Sequence, residues 1–177
     1  TSFTNENCTF FHFRFDSNVD MKVAGLVSHM SKDNSIKKVY LFNQNYVYGQ
    51  TFKDAATRML NKNAPNIQIV GDELIPPFGK VQDFNPYVTK IKLSGADTVL
   101  TGNWGPDAYR FVNALKDAGV KVKLFGIYIS QPAGMAAMEK NLLFNDVIVV
   151  KEFNPTNPDA PEWYKNYEKG QVKKMGL

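Results

Sequence analysis

Asn43, Tyr46 and Tyr48 follow the short apolar run Val39-Tyr40-Leu41-Phe42. Asn103 and Trp104 follow a second run, Asp97-Thr98-Val99-Leu100, and Tyr128 follows a third, Lys123-Leu124-Phe125. Amide side chains hydrogen-bond in both directions, and large rings stack on apolar groups or face cations. Placed where strands end, these residue types suit the holding of a small molecule. Gly49 lets a helix start close to the strand before it. Gly102 and Gly105 flank Asn103 and Trp104 and let backbone approach a ligand. For Tyr46 and Tyr48 two readings fit the pattern equally: a ligand wall, or a cover on the top of the core. Trp104 is costly to expose and leans toward a ligand wall.

Residues for bond-making chemistry are sparse. His12 lies inside an aromatic run and His29 on a helical stretch. Neither has a serine or carboxylate partner at a spacing that suggests catalysis. Glu73 is a lone acid, and one carboxylate is not an acid–base pair. Asp107 reads as a helix-start charge favoured by the dipole. The segment Asn43 to Gly49 contains one glycine, so the dinucleotide fingerprint is absent, and no P-loop occurs. A phosphoacceptor domain would need clustered aspartates where this chain carries asparagine and rings. The single cysteine, Cys8, forms no internal disulfide and no CxxC metal or redox pair. The expectation is a binding protein that is not an enzyme and needs no cofactor or metal.

The elements that carry these loops alternate. Phe10 to Phe15 alternates and predicts a strand, and Asp16 or Ser17 can cap a helix with apolar Met21, Ala24, Gly25, Val27 and Met30. Lys38 to Phe42 is the next strand. Phe52, Ala55, Ala56, Met59 and Leu60 make a helical stripe. Ile67 to Leu74 is a strand, followed by the turn-rich loop Ile75-Pro76-Pro77-Phe78-Gly79. Asp83 reads as an N-cap for a helix with Pro86 in its first turn, an apolar face of Tyr87, Val88, Ile91 and Leu93, and Gly95 at its end. Thr98 to Thr101 is a buried strand. Pro106 opens a helix lined by Phe111, Val112, Leu115 and Ala118 and closed by Gly119. Then come a strand at Lys121 to Phe125, a short helix from Gln131 to Met138, a strand at Asp146 to Val150, a loop at Asn154 to Pro158, and a helix with Trp163, Tyr164 and Tyr167. Six β–α units predict an α/β fold: a doubly wound parallel sheet in a Rossmann-like three-layer sandwich, with all strand-end loops on one rim.

At 177 residues, 44% hydrophobic and 21% charged, the chain has ordinary globular composition. The net charge of +4 comes from lysines spread over helix faces, with a modest excess at Lys165, Lys169, Lys173 and Lys174. That favours solvated surface over a nucleic-acid patch. The opening Thr1-Ser2-Phe3-Thr4 has neither the basic nor the apolar region of a signal peptide. No run reaches the ~18 apolar residues of a membrane span.

Several stretches taken together are familiar: Phe13-Arg14-Phe15-Asp16; Lys37 to Tyr46 with Gly49-Gln50; Asp83-Phe84; Ile91-Lys92; Gly95-Ala96-Asp97; Gly102-Asn103-Trp104; and Lys116-Asp117-Ala118-Gly119. In order and spacing the chain resembles periplasmic binding proteins of the leucine/isoleucine/valine type, the receptors of branched-chain amino-acid ABC importers. The resemblance implies two α/β lobes with ligand between them, a periplasmic location, and ABC permease subunits as partners. It implies that residues 1–177 are a single α/β lobe, the second, without its partner lobe. An exposed lobe face would then permit a dimer. The ligand-stacking tyrosine of the family matches Tyr46, with Tyr48 next if one gap is allowed, and the aromatic of its Gly-x-aromatic loop matches Trp104. The acid that pairs with a ligand ammonium falls near Tyr128, which is not acidic. The implied ligand is therefore an amino acid, an amide or an aromatic acid. Two other functions share the strand-end rim: a small flavodoxin-like or hydrolase-like α/β enzyme, and the ligand-sensing domain of a signalling receptor.

Overall fold

In the computed structural model, which describes residues 7–130, 147–150 and 158–175, the apolar runs form one sheet. Its strands are β1 Lys38–Gln44, β2 Gln68–Ile75, β3 Thr98–Thr101, β4 Lys123–Gly126 and β5 Val147–Val149. Their order is β2-β1-β3-β4-β5, and every pairing is parallel. In β1 every residue after Lys38 is buried, and β3 is buried throughout. Continuous burial is what a central strand covered on both faces requires.

Helices supply that cover. α1 Val19–Met30 and α2 Val47–Asn63 pack on one face. Val23, Leu26, Val27, Phe52, Ala56 and Leu60 join Val39, Leu41 and Leu100 in that half of the core. On the other face lie α3 Asn85–Ser94 and α4 Gly105–Asp117, whose Val88, Ile91, Phe111, Val112 and Leu115 pack on Tyr40, Phe42 and Val99. Phe42 is the hub there, with ring centroids 4.3 Å from Phe111, 5.7 Å from Tyr87 and 6.4 Å from Phe84. A last helix, α5 Glu162–Met175, follows. The doubly wound three-layer expectation therefore holds.

Local expectations fare unevenly. Gly95 ends α3 in the left-handed conformation, φ 68°. Pro86 and Pro106 sit in first turns, where a missing N–H costs nothing. Residues 10–15 are not a strand. They pair with no sheet edge, and Phe10, Phe11, Phe13 and Phe15 are 86%, 86%, 72% and 101% exposed. Alternating aromatics suit a pleated surface, but a strand exists only where a neighbour takes its N–H and C=O groups. The described residues thus contain five strands rather than six.

Asn18, not Asp16 or Ser17, caps α1: its Oδ1 accepts from Met21 N at 2.8 Å. Asp16 instead pairs with Lys22 Nζ at 2.8 Å. Asp83 sits one residue too early to cap α3 and accepts from Asn85 N in a local turn. Met21 and Leu93 face outward, 61% and 82% exposed, and Ala118 is exposed as well. The expected helix from Gln131 to Met138 and most of the loop from Asn154 to Pro158 lie outside the described residues.

Candidate functional site

The chain steps from β1 outward to β2 and then back across β1 to β3, so its winding reverses between β1 and β3. At such a switch point adjacent loops part and leave a crevice beyond the strands' carboxyl ends. The loops after β1 and β3 border this crevice, and the loop after β4 lies next to them. Tyr46 and Tyr48 come from the first, Trp104 from the second and Tyr128 from the third. Together they line a cleft of about 260 Å³. The ring centroids of Tyr46 and Tyr48 are 6.0 Å apart, as are those of Tyr48 and Tyr128. Trp104 Nε1 donates to Tyr46 Oη at 2.8 Å, joining the first two loops.

Tyr46 and Trp104 both occupy the N-cap position of the helix that follows, in extended backbone, and neither side chain caps it. Ser, Asn or Asp there would stabilise each helix by about 1 kcal/mol. A ring is present instead. Gly49 makes the first loop tight: a Cβ at that position would lie 1.9 Å from Gln44 O. Gly102 meets protein rather than ligand, because a Cβ there would come within 2.9 Å of the Phe52 ring and 3.2 Å of Asn43 Oδ1. The expected open approach at Gly102 is thus a packing requirement.

Asn43 and Asn103, expected at the same rim, are fully buried and are not among the described residues that line the cleft. Asn43 Oδ1 accepts from Gly102 N at 2.7 Å and so ties β1 to the loop after β3. Asn43 Nδ2, both side-chain polar atoms of Asn103 and Tyr48 Oη are buried with no hydrogen-bond partner. Burial pushes the Tyr48 and Tyr46 phenols above their ordinary range, so both stay protonated and neutral. Lys22 Nζ stands 5.3 Å from the Tyr128 ring centre and is paired with Asp16. Among the described residues, no charged group lines the cleft.

Two residues beside the cleft, Phe78 and Asp107, were not singled out for it from sequence. Phe78 bridges two of the rings, 5.0 Å from Tyr46 and 5.9 Å from Trp104 between centroids. It does so from a left-handed backbone, φ 59°, unusual for a bulky residue. Asp107 holds that loop: Gly79 N donates to its carboxylate at 3.1 and 3.0 Å, and Gln44 Nε2 donates at 2.6 Å. Asp107 is therefore a buried anchor and more than a helix-start charge. Pro76-Pro77 before Phe78-Gly79 was the available signal, a stiffened loop presenting a single ring. His29 lies 5.8 Å from Phe125 between ring centroids, and Glu73 on the edge strand β2 pairs with Lys90 of α3. Among the described residues, no cluster of three potential metal ligands occurs, and no helix is long and apolar enough to cross a membrane.

Comparison with known proteins agrees with this architecture. A family model described as periplasmic binding protein matches residues 1–176. The Leu/Ile/Val-binding protein homolog 4 of Brucella abortus (strain 2308) is 33% identical over 154 residues, covering 86% of this chain and 36% of that protein. The closed crystal structure of the leucine-, isoleucine-, valine-, threonine- and alanine-binding protein of Brucella ovis superposes with a TM-score of 0.84 at 29% identity. That match covers 99% of this chain and 43% of the other. A solute-binding protein of R. palustris in complex with benzoate shares the fold, with a TM-score of 0.67 at 19% identity over 77% of this chain and 37% of its own. The chain spans well under half the length of each of these relatives. A parallel β2-β1-β3-β4-β5 sheet, a crevice at its switch point and a match over nearly every residue place this chain in the periplasmic binding protein family.

Proposed function

We propose that this chain is the ligand-gripping lobe of the solute-binding component of an ABC importer. It takes an amino acid, an amide or an aromatic acid in a cleft formed with a second lobe. In this reading it works in the periplasm, delivers ligand to permease subunits and catalyses no reaction. The observation that carries the reading is the convergence of Tyr46, Tyr48, Trp104 and Tyr128, from three strand-end loops, around one cleft. These rings stack on the ligand. Asn43 Nδ2 and both polar atoms of the Asn103 side chain, buried without partners, supply hydrogen bonds to its polar end or to ordered water. Ligand shifts an open–closed equilibrium through contacts made only in the closed form. The names of the Brucella and R. palustris relatives support an amino acid or an aromatic acid.

The test is a thermal-shift screen of the two-lobed protein against amino acids, their amides and aromatic acids. A true ligand at 100 times its Kd stabilises by about 2.7 kcal/mol. Trp104→Ala weakens binding of that ligand at least tenfold, about 1.4 kcal/mol, while unfolding stays cooperative. No stabilising compound, or unchanged affinity on loss of the indole, refutes the reading.

A further inference from the structure

We propose that Lys22 is a positioning residue for the cleft: its ammonium, held by Asp16, sets the tilt of the Tyr128 ring that a ligand meets. The inference rests on the reading of the four rings as a ligand wall and names a group that acts on that wall from outside it. Lys22 lies near the start of α1 and is 6% exposed. Its Nζ is 2.8 Å from Asp16 Oδ2 and stands over the Tyr128 ring, 5.3 Å from the centre. Tyr128 lines the cleft, whereas Lys22 is not among the described residues that do. The Tyr128 ring therefore has two neighbours of different kinds, the Tyr48 ring at 6.0 Å between centroids and a buried cation.

Burying an ammonium is expensive, and a methionine of similar length would fill the same space without that cost. Stability therefore does not explain the lysine. Direction does. A ring packed by apolar neighbours alone is held by shape, with little preference among small tilts. An ammonium is attracted by the negative face of a ring and repelled by its positive edge, so it favours one tilt over the others. The Asp16 carboxylate keeps the ammonium at its post and answers its charge, so the pair has no net charge with which to draw a ligand. Asp16 is also felt at the neighbouring ring: burial first, then Tyr128, Tyr46 and Asp16, push the Tyr48 phenol up.

Benzamide and benzoate, a neutral and an anionic ring, test this by NMR titration of the 177-residue chain. The Tyr128 ring and the Trp104 Nε1–H report on the two ends of the wall. Lys22→Met shifts the Tyr128 ring signals, leaves the Trp104 signal in place and weakens both probes about fivefold. Lys22→Arg, which keeps the cation and its partner, restores both to within about twofold. Loss of benzoate binding alone makes Lys22 a direct anion contact, and unchanged affinity for both makes it packing; either overturns the proposal while the ligand wall stands. So does a Trp104 signal that moves as far as that of Tyr128, the mark of general loosening. If neither probe binds the unaltered chain below about 10 mM, the wall itself is wrong and Lys22 positions nothing. Should Lys22→Met fail to fold, Asp16→Asn decides. Asp16 is 57% exposed, so its loss frees the ammonium without emptying the core. It shifts Tyr128 and weakens both probes about threefold; unchanged affinities there overturn the proposal.

Discussion

Replacing Gly49 by alanine sets two effects against each other. Gly49 lies in the first turn of α2, where alanine is the better helix former by about 1 kcal/mol. Against this, the added Cβ would lie 1.9 Å from Gln44 O. The contact is more than about 1 Å short of van der Waals distance, and the neighbour is backbone, held in β1 by pairing with β2. No rotamer relieves it, so α2 must move off the sheet. Overpacking of this kind costs typically about 1–3 kcal/mol, and a rigid neighbour puts it at the upper end. The net loss is about 2 kcal/mol, or about 4–8 °C in melting temperature for a chain of this size. Urea unfolding followed by circular dichroism measures it, with an unchanged slope showing that the midpoint reports stability. Gly170→Ala is the control: it lies in α5, where a Cβ meets nothing within 4 Å, and it raises stability by up to about 1 kcal/mol. If alanine stabilises at position 49 as it does at 170, the close approach of α2 to β1 does not constrain the loop.

Phe42→Ala removes the ring on which Phe84, Tyr87 and Phe111 converge; it costs about 3–5 kcal/mol in denaturant unfolding, and a loss below about 1 kcal/mol would contradict the hub. The Lys123 ammonium, then the Ser35 hydroxyl and N–H, hold the Asp33 carboxyl well below the usual range. Its contribution is complete above the unfolded value near 4 and is lost as pH falls toward the lowered folded value. The urea midpoints of wild type and Asp33→Asn should therefore converge below about pH 4 and differ above it; a gap independent of pH refutes the pairing. Asp97→Ala frees the N–H groups of Lys37 and Lys38, each held at 2.9 Å, and should cost about 1–3 kcal/mol. Trp104 and Phe78 are exposed at the rim, and self-association through that face should double the mass seen by light scattering at high concentration. A monomer throughout removes that expectation.

Much of the fold was legible because burial leaves a period behind. The stripe at Phe52, Ala55, Ala56 and Leu60 marks α2, and the runs at 38–44 and 98–101 are apolar on both sides as a central parallel strand must be. The rim was legible from loop chemistry, since bulky rings directly after strands are hard to place elsewhere. What pattern alone misjudged depends on partners. The phenylalanines at 10–15 have strand spacing without a sheet edge to join. Leu93 continues the apolar run of α3 but points away from the sheet. Asp107 looked like a helix-start charge and nothing more because only the folded chain brings Gln44 and Gly79, 63 and 28 residues earlier, onto its oxygens. Phe78 was hidden for a related reason: its left-handed backbone is a tertiary fact that Pro76-Pro77 merely permits.

The parallel arrangement of β1 has a kinetic consequence. Lys38 meets Gln68, 30 positions on, across one edge, and Val39 meets Thr98, 59 positions on, across the other. No hairpin is available to seal either side quickly, so loop closure must precede the reward. During synthesis Val39-Tyr40-Leu41-Phe42 emerges long before its second neighbour and waits with a bare apolar edge. Chain association during refolding should therefore rise steeply with protein concentration, and the remedy is dilution or a chaperone rather than a more stable native state.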